Sequence, residues 1–175
     1  MMILAVLAAC SDPAQGTFVG NPSLQARYVD SVDQVGLGGR LATNGTALEP
    51  CSAPTIGLGP QVFTFDGTVA SVSIDLPEEE LCGIRLVVTE LAVQVDDAGV
   101  DKTVVGQDFD LWVPSDAIPA GAPRLELRLG DEGWLPGFLA LAGPGETLLN
   151  TEADPGLVAA FFEGLDEGSA FVELP

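Results

Sequence analysis

Apolar and polar residues alternate with a period of two over much of the chain from Leu24 onward. The clearest stretch is residues 123–130, where three leucines alternate with arginine and glutamate. Residues 72–76 repeat the pattern with aliphatic residues separated by serine and aspartate. Because this period places successive side chains on opposite faces of a strand, each stretch predicts a strand with one buried and one solvated face.

The alternation changes phase once, within residues 81–95. Its apolar face holds the even positions up to Val88 and the odd positions from Leu91 onward. The phase slips by one residue near Thr89-Glu90, which predicts either a β-bulge or a bend that carries the strand between two sheets. Before the slip, the even-numbered face turns Cys82 inward.

Further short runs of apolar residues lie between turn-forming residues such as Asn44-Gly45 and are also typical of strands. They cover residues 27–35, 39–48, 61–65, 102–105, 109–113 and 137–141.

One helix interrupts this series near the C-terminus. Asp154 is suited to cap it, Pro155 fits its first turn and Gly168 ends it. Its apolar stripe consists of Leu157, Val158, Phe161, Phe162 and Leu165. Short strands at regular spacing with a single helix predict a mostly β fold, namely an antiparallel β-sandwich of Ig-like architecture.

The length of the chain indicates one domain, and its charge argues against nucleic acid and anionic lipids as partners. The chain has 175 residues, of which 47% are hydrophobic, and this suits one domain with a proper core. Its 26 acidic and 6 basic residues give a net charge of −20. Such a field repels nucleic acid and anionic lipid headgroups. An acidic surface can instead attract cations or basic partners, or simply keep the protein soluble.

The first ten residues carry a localisation motif. Residues 1–9 are uncharged and mostly aliphatic, and Leu7-Ala8-Ala9-Cys10 closes the run. The run is too short to cross a bilayer but fits the apolar region of a signal peptide. It resembles the lipobox of bacterial lipoproteins, although no Lys or Arg precedes it. The resemblance implies cleavage before Cys10, a diacylglycerol on its thiol and anchoring in the cell envelope. The resemblance also implies the outer membrane, because Ser11 rather than Asp follows the cysteine.

The resemblance implies how the chain divides into segments and how its cysteines pair. Residues 1–9 are then a signal peptide, residues 10–23 a tether rich in Pro, Gly and small polar residues, and residues 24–175 a single β-sandwich domain. With Cys10 lipidated, Cys51 and Cys82 remain as a pair in an oxidising compartment, and a disulfide between them is expected. It would join two strands across the core. The alternative is two buried free thiols in a cytosolic protein.

Catalytic motifs are mostly absent from the sequence. Without histidine there is no Ser-His-Asp or Cys-His relay. Asp108 and Asp110 share a strand face and could act as acid and base on a sugar, although solvated surface acids are the simpler interpretation. Trp112 is assigned to the core. Trp134 lies near a turn, and its position is left open.

Calcium is the one cofactor that the sequence suggests. Asp96, Asp97 and Asp101 flank Gly99 in a predicted turn, and Ca²⁺ prefers such oxygen ligands. Their spacing departs from the EF-hand pattern, so a polar hairpin turn with no ion is the alternative.

Together these features predict a lipid-anchored bacterial envelope protein. We expect it to be a non-enzymatic binding or structural module whose partner is an envelope protein or polysaccharide. The alternative is a small hydrolase that uses carboxylates to cleave envelope polysaccharide. An enzyme of that kind needs a cleft where at least two acids converge.

Overall fold

The computed structural model describes residues 23–28, 38–66, 69–74, 76–97, 99–130, 134, 140, 142–150 and 152–175. The strands are β1 (Ser23–Tyr28), β2 (Gly38–Pro50), β3 (Ile56–Gly57), β4 (Gln61–Asp66), β5 (Val69–Ser73), β6 (Leu81–Asp97), β7 (Val100–Gly106), β8 (Phe109–Ile118), β9 (Arg124–Leu129), β10 (Gly145–Leu148) and β11 (Ala170–Glu173), and helix α1 is Pro155–Gly168. The fold is mostly β, as predicted. β1 begins at Ser23, inside the range predicted as tether, and the rest of the strand predicted over residues 27–35 lies outside the described residues after Tyr28.

The strands form two mixed sheets. Sheet A has the order β11-β9-β1-β5, and sheet B has the order β10-β7-β6-β2-β3, with β4 also paired to β2 and β8 to β6. The prediction of purely antiparallel sheets is wrong, because β1 pairs with β9 and β10 pairs with β7 in parallel. Side chains alternate with the same period in parallel and antiparallel strands, so alternation carries no information about strand direction.

The predicted phase slip in β6 is a β-bulge. Ala42 of β2 faces Glu90, whereas Thr43 faces Val88, so Thr89 is an extra residue on β6. The Thr89 hydroxyl donates a hydrogen bond to the Ala42 carbonyl oxygen at 3.2 Å, which satisfies an acceptor beside the interrupted ladder. β6 therefore stays in sheet B along its whole length.

Among the residues that the structure describes, one apolar core joins the inner faces of both sheets to α1. Tyr28 of sheet A stacks on Phe65 of sheet B with ring centroids 4.4 Å apart. Its hydroxyl donates a hydrogen bond to the Ala92 carbonyl oxygen at 2.6 Å, and burial raises the pKa of this phenol. Tyr28 therefore stabilises the contact between the sheets through packing and through a hydrogen bond.

Helix α1 confirms its prediction. The Asp154 carboxylate accepts a hydrogen bond from the Leu157 amide at 2.9 Å, and Pro155 occupies the first turn. Of the predicted stripe, Leu157, Val158, Phe161 and Leu165 are buried, whereas Phe162 is half-buried. Of the strand predicted over residues 137–141, the structure describes Ala140, which is helical.

Cys51 and Cys82 form a disulfide, as expected. The bridge joins the end of β2 to the start of β6, which are neighbours in sheet B, so it does not cross the core. Cys51 is exposed and Cys82 is half-buried. The predicted inward orientation of Cys82 is wrong because the register of β6 also shifts between Leu81 and Gly83. Leu81 and Ile84 are buried on either side of this irregularity.

Candidate functional site

The regular pairing of β2, β6, β7 and β8 in sheet B is interrupted at positions that lie side by side across the sheet. The register of β2 shifts around Asn44, and β6 carries its bulge at Thr89. β7 and β8 follow one another along the same edge of β6 and are separated by Gln107 and Asp108. We call this line of interruptions, defined by these four residues, the seam. The turn predicted at Asn44-Gly45 is thus an irregularity within β2.

A cleft of about 400 Å³ lies along the seam. Its lining residues are Asn44, Val87, Val88, Thr89, Asp108, Phe109 and Asp110. Asp108 has a φ of 53°, in the left-handed region that aspartate tolerates better than most residues. Both aspartates are exposed, so the cleft has an acidic rim over a partly apolar floor. The structure therefore brings the predicted Asp108 and Asp110 to one cleft.

Trp112 is exposed, and its assignment to the core is wrong. Its relative solvent exposure is 48%, whereas Leu111 and Val113 are 1% and 0% exposed. Alternation along β8 turns these two neighbours inward and Trp112 onto the outer face of sheet B. The parity of the flanking apolar residues is the sequence signal that identifies this position as exposed.

The Trp112 indole lies over Gly83 of the neighbouring strand. A Cβ atom at position 83 would lie 2.7 Å from Trp112 Cζ2 and 2.8 Å from the Val113 carbonyl oxygen, so only glycine leaves room for the ring. Trp112 is directly opposite Arg85, and Asp110 is opposite Val87. The outer face thus presents an indole beside a guanidinium and a carboxylate. We call Asp110, Trp112 and Arg85 the Trp112 platform.

Arg85 is available for an external ligand. It is exposed, and within the described ranges it forms no ion pair. The Trp112 platform adjoins the cleft at the seam through Asp110, which belongs to both. An indole, a cation and acceptor oxygens therefore lie on one continuous surface.

Trp134, whose position the sequence left open, is a core residue with 7% exposure. Its ring centroid lies 5.7 Å from that of Phe161 and 6.3 Å from that of Tyr28. Trp134 therefore packs between α1 and sheet A, and Trp112 alone of the two tryptophans is positioned to contact a ligand.

The predicted calcium residues lie at the hairpin between β6 and β7. Asp96 and Asp101 face each other across the two strands, and both are exposed. Asp96 Oδ1 accepts a hydrogen bond from the Gly99 amide at 2.5 Å, as in a turn closed by an aspartate. Among the described side chains, which do not include Asp97, no group of three potential metal ligands is present. Calcium binding stays a prediction.

Cys10 and the predicted signal peptide lie outside the described residues. Within the ranges that the structure describes, no helix combines the length and apolar character required to cross a bilayer. Comparisons with family models, curated proteins and solved structures found no match.

Proposed function

We propose that this chain is a lipid-anchored, non-enzymatic module of the bacterial cell envelope that binds polysaccharide on the Trp112 platform. The observation that carries this proposal is the exposed indole that lies against Gly83. An indole face offers apolar area to the faces of a sugar ring, and its rigidity lowers the entropic cost of binding. Arg85 and Asp110 supply a donor and an acceptor for sugar hydroxyl groups.

The charge of the chain supports a saccharide over a nucleic acid. An exposed tryptophan beside an arginine could also stack on a base, but a net charge of −20 repels a phosphate backbone. A neutral polysaccharide meets no such repulsion. Sugar polymers are also abundant in the compartment that the lipobox implies.

The proposed location depends on the N-terminal motif. Signal peptidase would remove residues 1–9, and residues 10–23 would tether the domain to the outer membrane through lipidated Cys10. The Cys51–Cys82 disulfide agrees with an oxidising compartment, because such bridges are rare in the cytosol. β1 begins where this tether ends.

The proposed architecture of the domain is an Ig-like sandwich. Residues of sheet A and sheet B contribute to one core, which is the arrangement that a sandwich requires. The parallel pairings of β1 with β9 and of β10 with β7 are departures from the usual antiparallel pattern. In this arrangement the outer face of sheet B is a free binding surface.

Loss of the indole is expected to weaken saccharide binding. A calorimetric titration of the full chain with oligosaccharides prepared from bacterial envelope polysaccharides should show saturable binding. Trp112→Ala should weaken binding by at least about tenfold, since a rigid aromatic anchor contributes well over 1 kcal/mol. Gly83→Ala should weaken it too, because the new methyl group displaces the ring.

Gly57→Ala is the matched control for Gly83→Ala. No atom lies within 4 Å of a Cβ built on Gly57, which is also in sheet B, so binding should be unchanged. Equal affinity of Trp112→Ala and the unaltered chain would refute the proposal. Release of new reducing ends, lost in Asp108→Asn and Asp110→Asn, would instead establish the hydrolase alternative, whose two acids meet at the cleft.

Lipid attachment has its own test. Intact-mass analysis of protein from membrane fractions should show loss of residues 1–9, addition of a diacylglycerol and two fewer hydrogens for the Cys51–Cys82 bridge. Cys10→Ser should accumulate without the lipid. Recovery of an unacylated chain that retains residues 1–9 from native membranes would exclude the proposed anchoring and leave the saccharide proposal to its own experiment.

A further inference from the structure

The outer face of sheet A concentrates positive charge on an acidic protein. Arg27 of β1 and Arg124 and Arg128 of β9 lie there, and they are three of the six basic residues of the chain. Leu24, Ala26 and Tyr28, with Leu125, Leu127 and Leu129, fill the opposite, inward face of the same two strands. We call Arg27, Arg124 and Arg128 the arginine face.

Glu126 holds two of these arginines side by side. Parallel pairing places Arg27 directly beside Arg128. Glu126 Oε1 lies 2.6 Å from Arg128 Nε and 2.9 Å from Arg27 Nε. The glutamate side chain is 7% exposed, whereas each arginine side chain is 38% exposed. One buried carboxylate thus orients two guanidinium groups that reach solvent.

Arg27 and Arg128 have more N–H donors than Glu126 can accept. One arginine is enough to neutralise one glutamate, so the second leaves a surplus positive charge. Arg128 donates one hydrogen bond, through Nε, to Glu126. The buried Arg27 Nε makes an ion pair with Glu126 but no hydrogen bond. In the part of the chain that the structure describes, no second acid pairs with either residue.

Arg124 extends the cluster along β9. Its Nη2 donates a hydrogen bond to Gln25 Oε1 on β1 at 3.1 Å. A neutral amide therefore positions this guanidinium without cancelling its charge. The two parallel strands carry three oriented guanidinium groups and one buried acid on this face.

We propose that the arginine face binds a phosphate group, with Arg27 and Arg128 bridging its oxygens. Guanidinium groups form paired hydrogen bonds with phosphate, and such charge-assisted bonds are stronger than neutral ones. A tetrahedral dianion has enough oxygens for both forks at once, whereas a single carboxylate saturates one. The ligand is compact, because a long polyanion would also meet the acidic surfaces elsewhere on the domain. At 0.15 M salt, those surfaces are screened beyond about 8 Å.

The test is a calorimetric titration of the full chain with inorganic phosphate at constant ionic strength. We expect saturable binding of one phosphate per chain, with a Kd below about 1 mM. Arg128→Lys keeps the charge but removes the fork, and it should weaken binding by at least about tenfold. Arg40→Lys is the matched control, because Arg40 pairs with Glu90 in sheet B, away from this face, and its replacement should change nothing.

A second variant separates orientation from net charge. Glu126→Gln makes the face more positive, so charge alone predicts tighter binding, whereas loss of orientation predicts weaker binding. Weaker binding by the variant, with circular dichroism unchanged, supports the proposal. Tighter binding, equal affinity of Arg128→Lys, or acetate binding as tightly as phosphate would overturn it. Glucose 6-phosphate binding more tightly than inorganic phosphate would identify a phosphorylated saccharide as the source of the group.

Discussion

Replacement of both Cys51 and Cys82 by serine is expected to lower the free energy of unfolding by about 3–4 kcal/mol. The bridge joins residues 31 positions apart in the sequence. Without it, the unfolded chain gains conformational entropy, and this gain lowers the free energy of unfolding. The native contacts should change little, because Cys51 is exposed and Cys82 is half-buried. Urea denaturation followed by circular dichroism measures the difference.

Reduction provides the control for this experiment. Dithiothreitol should destabilise the unaltered chain by a similar amount and leave the double serine variant unaffected. Cys10→Ser tests whether the third cysteine contributes, and it should unfold at the same urea concentration as the unaltered chain. A double serine variant as stable as the unaltered chain would show that the bridge does not stabilise the fold.

Phe161→Ala is expected to destabilise the protein by about 3–5 kcal/mol, the usual cost of truncating a fully buried phenylalanine. Phe161 is 1% exposed, and its ring lies between those of Trp134 and Phe162, with centroid distances of 5.7 and 5.2 Å. The substitution opens a cavity where α1 meets both sheets. The midpoint of thermal or urea unfolding measures the effect.

The adjacent Phe162→Ala is a matched control on the same helix. Both variants make the same change in helix propensity, so the difference between them reports burial alone. Phe162 is half-buried and packs edge-on against Phe109, with centroids 4.7 Å apart. Its loss should therefore cost less than the loss of Phe161. Equal effects would contradict the position of α1 on the core.

The period of two predicts β5, β6 and β9 because burial imposes it directly. Apolar runs between turn residues place residues 39–48, 61–65 and 102–105 within a few residues of β2, β4 and β7, and the phase slip, which predicts a bulge or a bend, is a bulge at Thr89. β3, β10 and β11 were missed, since strands of two to four residues are too short to show a period. The parallel pairing of β1 with β9 joins strands about 100 residues apart and leaves no local signal.

The candidate sites, too, are predictable from the sequence only where they depend on a local pattern. The exposure of Trp112 could have been predicted, because Leu111 and Val113 set the parity of β8. The alternation of Arg124, Glu126 and Arg128 predicts a solvated face, although the side chain of Glu126 is only 7% exposed. Arg27 joins them through a long-range register that no local pattern contains. The seam likewise depends on four strands whose irregularities coincide only in the folded sheet.

The seam has a consequence for how this domain can diversify. Asn44, Thr89 and Asp108 stand where the regular pairing of strands is already interrupted. Inserted residues at these positions, and new side chains at Asn44, disturb few ladder hydrogen bonds, whereas the same changes at Leu86 or Leu91 would disrupt the packed interior. Selection for a different ligand can therefore act on the chemistry of the cleft while the stability of the domain stays nearly constant.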